Sequence, residues 1–206
     1  MKASTLHSLI TARTLHDEAR RLVAAGDRHM SSAGLILLQD ALEVVFLAML
    51  VEKDIDEQKT LESKSFDELI GELKKSGVPV PKSGTLKALN KQRVITKHYG
   101  QLAEPLTVQT YAEAADIAVE AIVQTVLGRR YREIFLSDLL SDGEAKTFLT
   151  EAVTHLEQAA FLDALIAVRK ALFVEIETEY CIHKWSDADP NEGLGLLSFS
   201  RGGMNL

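Results

Sequence analysis

The sequence predicts an all-α fold, and three observations predict it. Its four prolines, at 79, 81, 105 and 190, leave long tracts in which helices can run uninterrupted. Along those tracts apolar residues recur at steps of three and four. Ser-x-x-Glu capping signals and single glycines punctuate the tracts at helical lengths.

Each element follows in order. From about Ser4 to Ala25, the stripe Leu6, Leu9, Ala12, Arg13, Leu15, Ala19 and Leu22 gives a polar amphipathic helix that Gly26-Asp27 interrupts. From about Arg28 to Lys53 the chain is apolar on nearly every side, the pattern of a central bundle helix. Ser65-Phe-Asp-Glu68 has capping-box spacing, and Phe66, Leu69, Ile70 and Leu73 form one short stripe that Gly77 ends. Residues 78–84, Val-Pro-Val-Pro-Lys-Ser-Gly, read as a loop. Thr85 is placed to cap a helix that carries Leu86 and Leu89 and ends near Tyr99-Gly100. Beyond Pro105, Ala112, Ala115, Val119, Ile122 and Val126 make a packing seam that runs toward Gly128, with Arg129-Arg-Tyr-Arg132 after it. Ser141-Asp-Gly-Glu144 repeats the capping box before Ala145, Phe148, Leu149, Ala152, Val153 and Leu156. A last helix is expected from about Leu162 to Tyr180, and the glycine-rich final 20 residues read as a loose tail.

The chain has 206 residues, enough for one core and part of a second. Apolar residues are 46% and charged residues 26%, the balance of a folded domain and not of a disordered one. One cysteine, Cys181, excludes an intrachain disulfide and a four-cysteine zinc site, and suits a reducing cytoplasm. Cys181-Ile-His183 has no matching ligand spacing elsewhere and reads as structural, so no metal and no cofactor are expected. The most apolar run, Leu35 to Val51, is broken by Gln39, Asp40 and Glu43 and reads as a buried helix and not a membrane span. Shifting the chain by 130 superposes Leu35-Ile36 on Leu165-Ile166, Ala41-Leu42 on Ala171-Leu172 and Val44 on Val174. Either a duplicated hairpin or the shared composition of two apolar helices produces that match.

Net charge is −7, which argues against a surface coated with duplex nucleic acid. The charge is uneven, however. Between Leu73 and Ala103 there is no acid, and Lys74, Lys75, Lys82, Lys87, Lys91, Arg93 and Lys97 form one basic segment. Within it lies Leu89-Asn-Lys-Gln-Arg-Val-Ile-Thr-Lys-His-Tyr-Gly100, which places Arg93 five residues before His98.

The order of a broken helical pair, a long apolar helix, a short helix, this motif and a seam helix resembles the HEPN superfamily over about residues 10–136. The Gly26-Asp27 break and the Ala41-Leu42-Glu43 step belong to the same resemblance. HEPN domains are small helical bundles, and their ribonuclease members carry an arginine, four to six residues, then a histidine. Active members usually place a polar residue after the arginine, where this chain has Val94. A toxin subgroup has a tyrosine two residues past the histidine, where this chain has Tyr99 directly after His98.

The resemblance implies an HEPN-like up-and-down bundle over residues 1–136, with a further helical hairpin and tail over 137–206. It implies a metal-independent endoribonuclease of a toxin or defence system, with an antitoxin partner unidentified by the sequence. In that reading His98 takes the 2′-hydroxyl proton of RNA and Arg93 binds the scissile phosphate through its planar fork. Lys87, Asn90, Lys91, Lys97 and Tyr99 would contact the RNA, and Asp40 and Glu43 would stand behind the pair. Two grooves would meet across a homodimer, or across an internal pseudo-dimer with 137–206. A continuous helix would hold Arg93 and His98 apart by roughly 140° and 7.5 Å, so convergence requires the helix to end near Lys97. The competing reading is a non-catalytic module that binds RNA, a nucleotide or a protein. There Arg93 pairs with Asp40 or Glu43 and His98 merely ends a helix.

Overall fold

A computed structural model gives the fold, and the structure describes residues 1–58 and 60–177. Cys181, His183, the expected run of the last helix to Tyr180 and the glycine-rich end lie outside the described residues. The protein is all-helical, with α1 Ala3–Ala24, α2 Arg28–Glu52, α3 Phe66–Lys75, α4 Ser83–Tyr99, α5 Pro105–Leu127, α6 Glu144–Glu157 and α7 Phe161–Leu172. The described residues include no strand. Two compact units divide the chain, Met1–Leu139 and Leu140–Leu206.

In the first unit α2 is the hub, packed against α1, α3, α4 and α5. Its Leu35, Leu38, Leu42, Phe46, Met49 and Leu50 are fully buried, which explains a helix apolar on nearly every side. Leu9 of α1, Leu69 and Leu73 of α3, Leu86 and Leu89 of α4, and Ala115 and Ile122 of α5 complete the same core. Of the described helices, α2 alone is long and apolar enough to cross a membrane, and 61% of that apolar window is buried inside the protein.

The helix boundaries have local causes. Gly26 is left-handed at φ 71°, and the carboxylate of Asp27 accepts from the His29 and Met30 amides at 2.8 and 3.0 Å, so the chain reverses and restarts within three residues. At α3 the Ser65 amide and hydroxyl both donate to Glu68, at 2.8 and 2.7 Å. Gly100 and Gly128 end α4 and α5 in the left-handed conformation, as expected for C-terminal caps. Two starts differ from expectation. Helix α4 begins at Ser83 and not after Thr85, because Lys82 turns left-handed just past Pro81, and the Ser83 hydroxyl is taken by Lys74 Nζ at 2.8 Å. Helix α6 begins at Glu144 itself, so Ser141 does not cap it; Asp142 is instead engaged by Lys146 at 2.8 Å.

Helices α6 and α7 form a hairpin in the second unit, followed by a π-helical turn at Phe173–Glu177. The buried side chains of α6 and α7 are all alanines, namely 145, 152, 164, 167 and 171. Phe161, Leu165, Val168 and Leu172 lie exposed at steps of four, three and four. The internal match joins Ala41 and Ala171 in like, buried surroundings, but Leu35 and Leu42 are buried on α2 where Leu165 and Leu172 are exposed on α7.

Candidate functional site

Helix α4 carries the basic motif; Lys74 holds its start at Ser83, and two hydrogen bonds fix its end. The Thr96 hydroxyl donates to the Gln101 carbonyl at 3.0 Å, and the Ala103 amide donates to the buried Ser32 hydroxyl of α2 at 2.8 Å. The helix is continuous through Tyr99, so the early end near Lys97 that convergence of Arg93 and His98 requires is absent. Arg93 turns inward, its side chain 17% exposed, and donates from Nη2 to Asp40 Oδ1 of α2 at 3.2 Å. Glu43 accepts from Gln39 at 2.9 Å and takes no part in that pair. His98 sits instead on an exposed ridge with Lys87, Lys91 and Val94, at steps of four, three and four. The structure thus joins Arg93 to Asp40 and does not bring Arg93 and His98 to one point within a single chain.

The basic segment is partly neutralised by its surroundings. Lys75 pairs with Glu72 at 3.1 Å and Lys87 with Asp67 at 3.6 Å, in addition to Arg93 with Asp40. Lys91, Lys97 and His98 have no ion-pair partner among the described residues and are exposed. Tyr99 beside them is 79% exposed. Asn90 is half-buried on the Arg93 side of the helix. The far end of α4 therefore presents free cations and an open aromatic ring.

A second constellation escaped the sequence reading. Arg13, His16, Asp17 and Arg20 follow one face of α1; Asp116 and Glu120 face them from α5; and the turn after α5 adds Arg130, Tyr131 and Arg132. Together they line a cleft of about 630 Å³. The run Arg129–Arg132 reads in sequence as a charged helix end, but these arginines follow the Gly128 cap and serve the turn. Arg129 donates to the Glu133 carbonyl at 2.8 Å, and Arg130 Nε and the Tyr131 amide both donate to Glu120, at 3.1 and 3.2 Å. Arg13 donates to the carbonyls of Arg132 and Ile134 and lies over the Phe135 ring. His16 Nε2 is 3.0 Å from Asp116, and its ring meets Tyr131 edge-on. The available signal was the spacing 13, 16, 17 and 20, polar residues sharing a helix face.

Burial alone pushes the Asp116 carboxyl upward, but the contact from His16 and the charges of Arg20 and Arg132 outweigh it and hold the carboxyl below the usual carboxylate range. A group depressed on folding adds stability above its unfolded pKa, about 3.9, and loses it as pH falls through the folded value. Asp116→Asn is expected to cost roughly 1 kcal/mol at neutral pH. In urea titrations the two chains should converge as pH falls below about 4. An equal gap at pH 7 and at low pH would sink the assignment.

Among the described residues, no group of three His, Cys, Asp or Glu side chains is placed to hold a metal ion. No family profile, curated protein or solved structure matches the chain.

Proposed function

We propose that the first unit is a helical module of HEPN type that binds single-stranded RNA along the exposed end of α4 without cutting it through Arg93 and His98. The observation that carries this reading is the grouping of Lys91, Lys97, His98 and Tyr99, exposed and free of acid partners, on a chain of net charge −7. Lysines at that spacing meet backbone phosphates, and an open tyrosine ring stacks an unpaired base. A duplex offers no free base face, so single strands are preferred. Arg93 is held by Asp40 and supports the ridge from behind.

Fluorescence anisotropy with a labelled mixed-sequence RNA of about 20 nucleotides tests the reading. Lys91→Glu combined with Lys97→Glu should weaken binding at least about tenfold and lower the salt slope by about 2. Tyr99→Ala should weaken binding about tenfold with the salt slope unchanged. Equal binding by the parent and the lysine pair variant would remove the ridge from consideration.

The endoribonuclease reading is favoured by the Arg93–His98 spacing within an acid-free segment, and it has its own test. RNA incubated with the protein in excess EDTA would acquire 2′,3′-cyclic phosphate ends, and His98→Ala would abolish them. That result would replace the binding reading, and it would require Arg93 to leave Asp40. The homodimer that the resemblance implies would place two ridges on one particle, which light scattering measures directly.

A further inference from the structure

Helix α7 buries one face and leaves another open. The face packed in the hairpin with α6 carries Ala164, Ala167 and Ala171, whose small side chains let two helices approach closely but bury little apolar surface. The larger apolar side chains are turned elsewhere. Phe161, Leu165, Val168 and Leu172 recur at steps of four, three and four, the spacing of a helix-packing seam, and are 37–67% exposed. That seam lies roughly 100° around the helix axis from the alanine face. In a four-helix bundle each helix meets its two neighbours at about a right angle, and α6 supplies one of those neighbours.

With Leu162 and Ile166 beside it, the seam leaves roughly 600 Å² of apolar surface open, at the upper end of what a monomer exposes and about three-quarters of what one partner gives to a stable interface. The pattern says which partner fits. A two-fold interface brings residue i against j and residue j against i. Antiparallel pairing of α7 with its own copy, about a point between Ile166 and Ala167, sets Phe161 against the partner's Leu172 and Leu165 against the partner's Val168, so every seam position meets an apolar one. The charges agree with that direction. Asp163 lies in the first turn and Arg169 and Lys170 in the last, so an antiparallel copy brings the acidic end beside the basic end, where a parallel copy would bring like beside like. Over residues 144–175 acids outnumber bases, which disfavours an anionic membrane surface as the occupant.

We propose that α7 is a homodimerisation helix: two copies of the chain pair their α7 helices antiparallel through Phe161, Leu165, Val168 and Leu172, and the two α6–α7 hairpins form a four-helix bundle. This interface lies outside residues 1–136. It is therefore distinct from the paired grooves that the HEPN resemblance implies, and it does not depend on RNA binding at α4.

Sedimentation velocity of the full chain from about 1 to 100 μM tests this. The parent should run as a dimer at the upper end, and Leu165→Glu and Val168→Lys should each weaken association at least about hundredfold. Both positions are exposed in the single chain, so helix content by circular dichroism should match that of the parent. Mixing the two variants is the decisive arm. It sets the new carboxylate against the new ammonium in one layer and leaves Val168 of the first variant against Leu165 of the second in the other, so a one-to-one dimer should return. Misfolded variants could not give that recovery, and a parallel pairing would leave each charge facing leucine or valine. The proposal is overturned if the parent is a monomer at about 100 μM, which would mean that the face is covered within its own chain. It is equally overturned if Leu165→Glu leaves the dimer intact, which would assign assembly to another surface, or if the mixed variants stay monomeric.

Discussion

Phe46→Ala is expected to lower the free energy of unfolding by about 3–5 kcal/mol, the usual cost of emptying an aromatic site that neighbours cannot refill. Phe46 is fully buried in the C-terminal half of the hub helix, and its ring lies 5.3 Å from that of Phe66 at a 43° tilt. Phe66 is the first residue of α3, so this aromatic pair holds the start of α3 to α2. Domains of this kind are stable by about 5–15 kcal/mol, so one substitution removes a large share. Urea titration followed by circular dichroism reads the loss. Phe66→Ala made together with Phe46→Ala should cost less than the two losses added, because each alone already breaks the shared contact. A loss under about 1 kcal/mol for Phe46→Ala would mean that the site closes around the gap.

Gly34→Ala is the second large effect, and its sign is the reverse of what helix propensity gives. Within a helix alanine is favoured over glycine by about 0.5–1 kcal/mol. At Gly34, however, an added Cβ would stand 2.9 Å from Val23 Cγ2, 3.0 Å from the Ala19 carbonyl oxygen and 3.2 Å from Leu22 Cβ. The valine methyl can rotate, but the carbonyl oxygen belongs to the backbone of α1 and cannot yield without moving the helix. Overpacking of that sort costs about 1–3 kcal/mol, so the net change is a destabilisation. Gly71, also helical but with nothing near its Cβ position, is the control: Gly71→Ala should stabilise by several tenths of a kcal/mol to about 1. If both variants gain stability in thermal melts, α1 and α2 do not touch as closely as described.

Much of this fold was legible because its signals are local. Asp27, Ser65, Gly100 and Gly128 act through their own backbone neighbours, and a sequence displays those neighbours. The starts at Ser83 and Glu144 were misplaced because their side chains are occupied elsewhere: Lys74 reaches Ser83 from another helix, and Lys146 holds Asp142. The same division explains the two sites. That Arg93 would find Asp40 was one of two acids offered by the α2 stripe, and the structure selects it. Whether His98 faces Arg93 depended on a single turn of helix, which spacing alone leaves open. The α1–α5 cleft was hidden because His16 and Asp116 are 100 positions apart. Periodicity marks α1 as a polar amphipathic helix with Arg13 in its stripe, and only the packing of α5 shows what the face of Arg13, His16, Asp17 and Arg20 meets.

The sharp reversal at Gly26-Asp27 has a consequence for how the chain is made. It lets α1 and α2 pair using contacts between residues close in sequence, the kind that form fastest. During synthesis that hairpin can assemble well before α3, α4 and α5 leave the ribosome. About 75 residues separate the end of α2 from the end of α5, which at translation rates of about 5–20 residues per second is roughly 4–15 s. Throughout that interval Phe46, Met49 and Leu50 have no α3 to α5 against them. The nascent hairpin, more than the finished protein, is therefore the form that chaperones would hold and that slow codons after Glu52 would endanger.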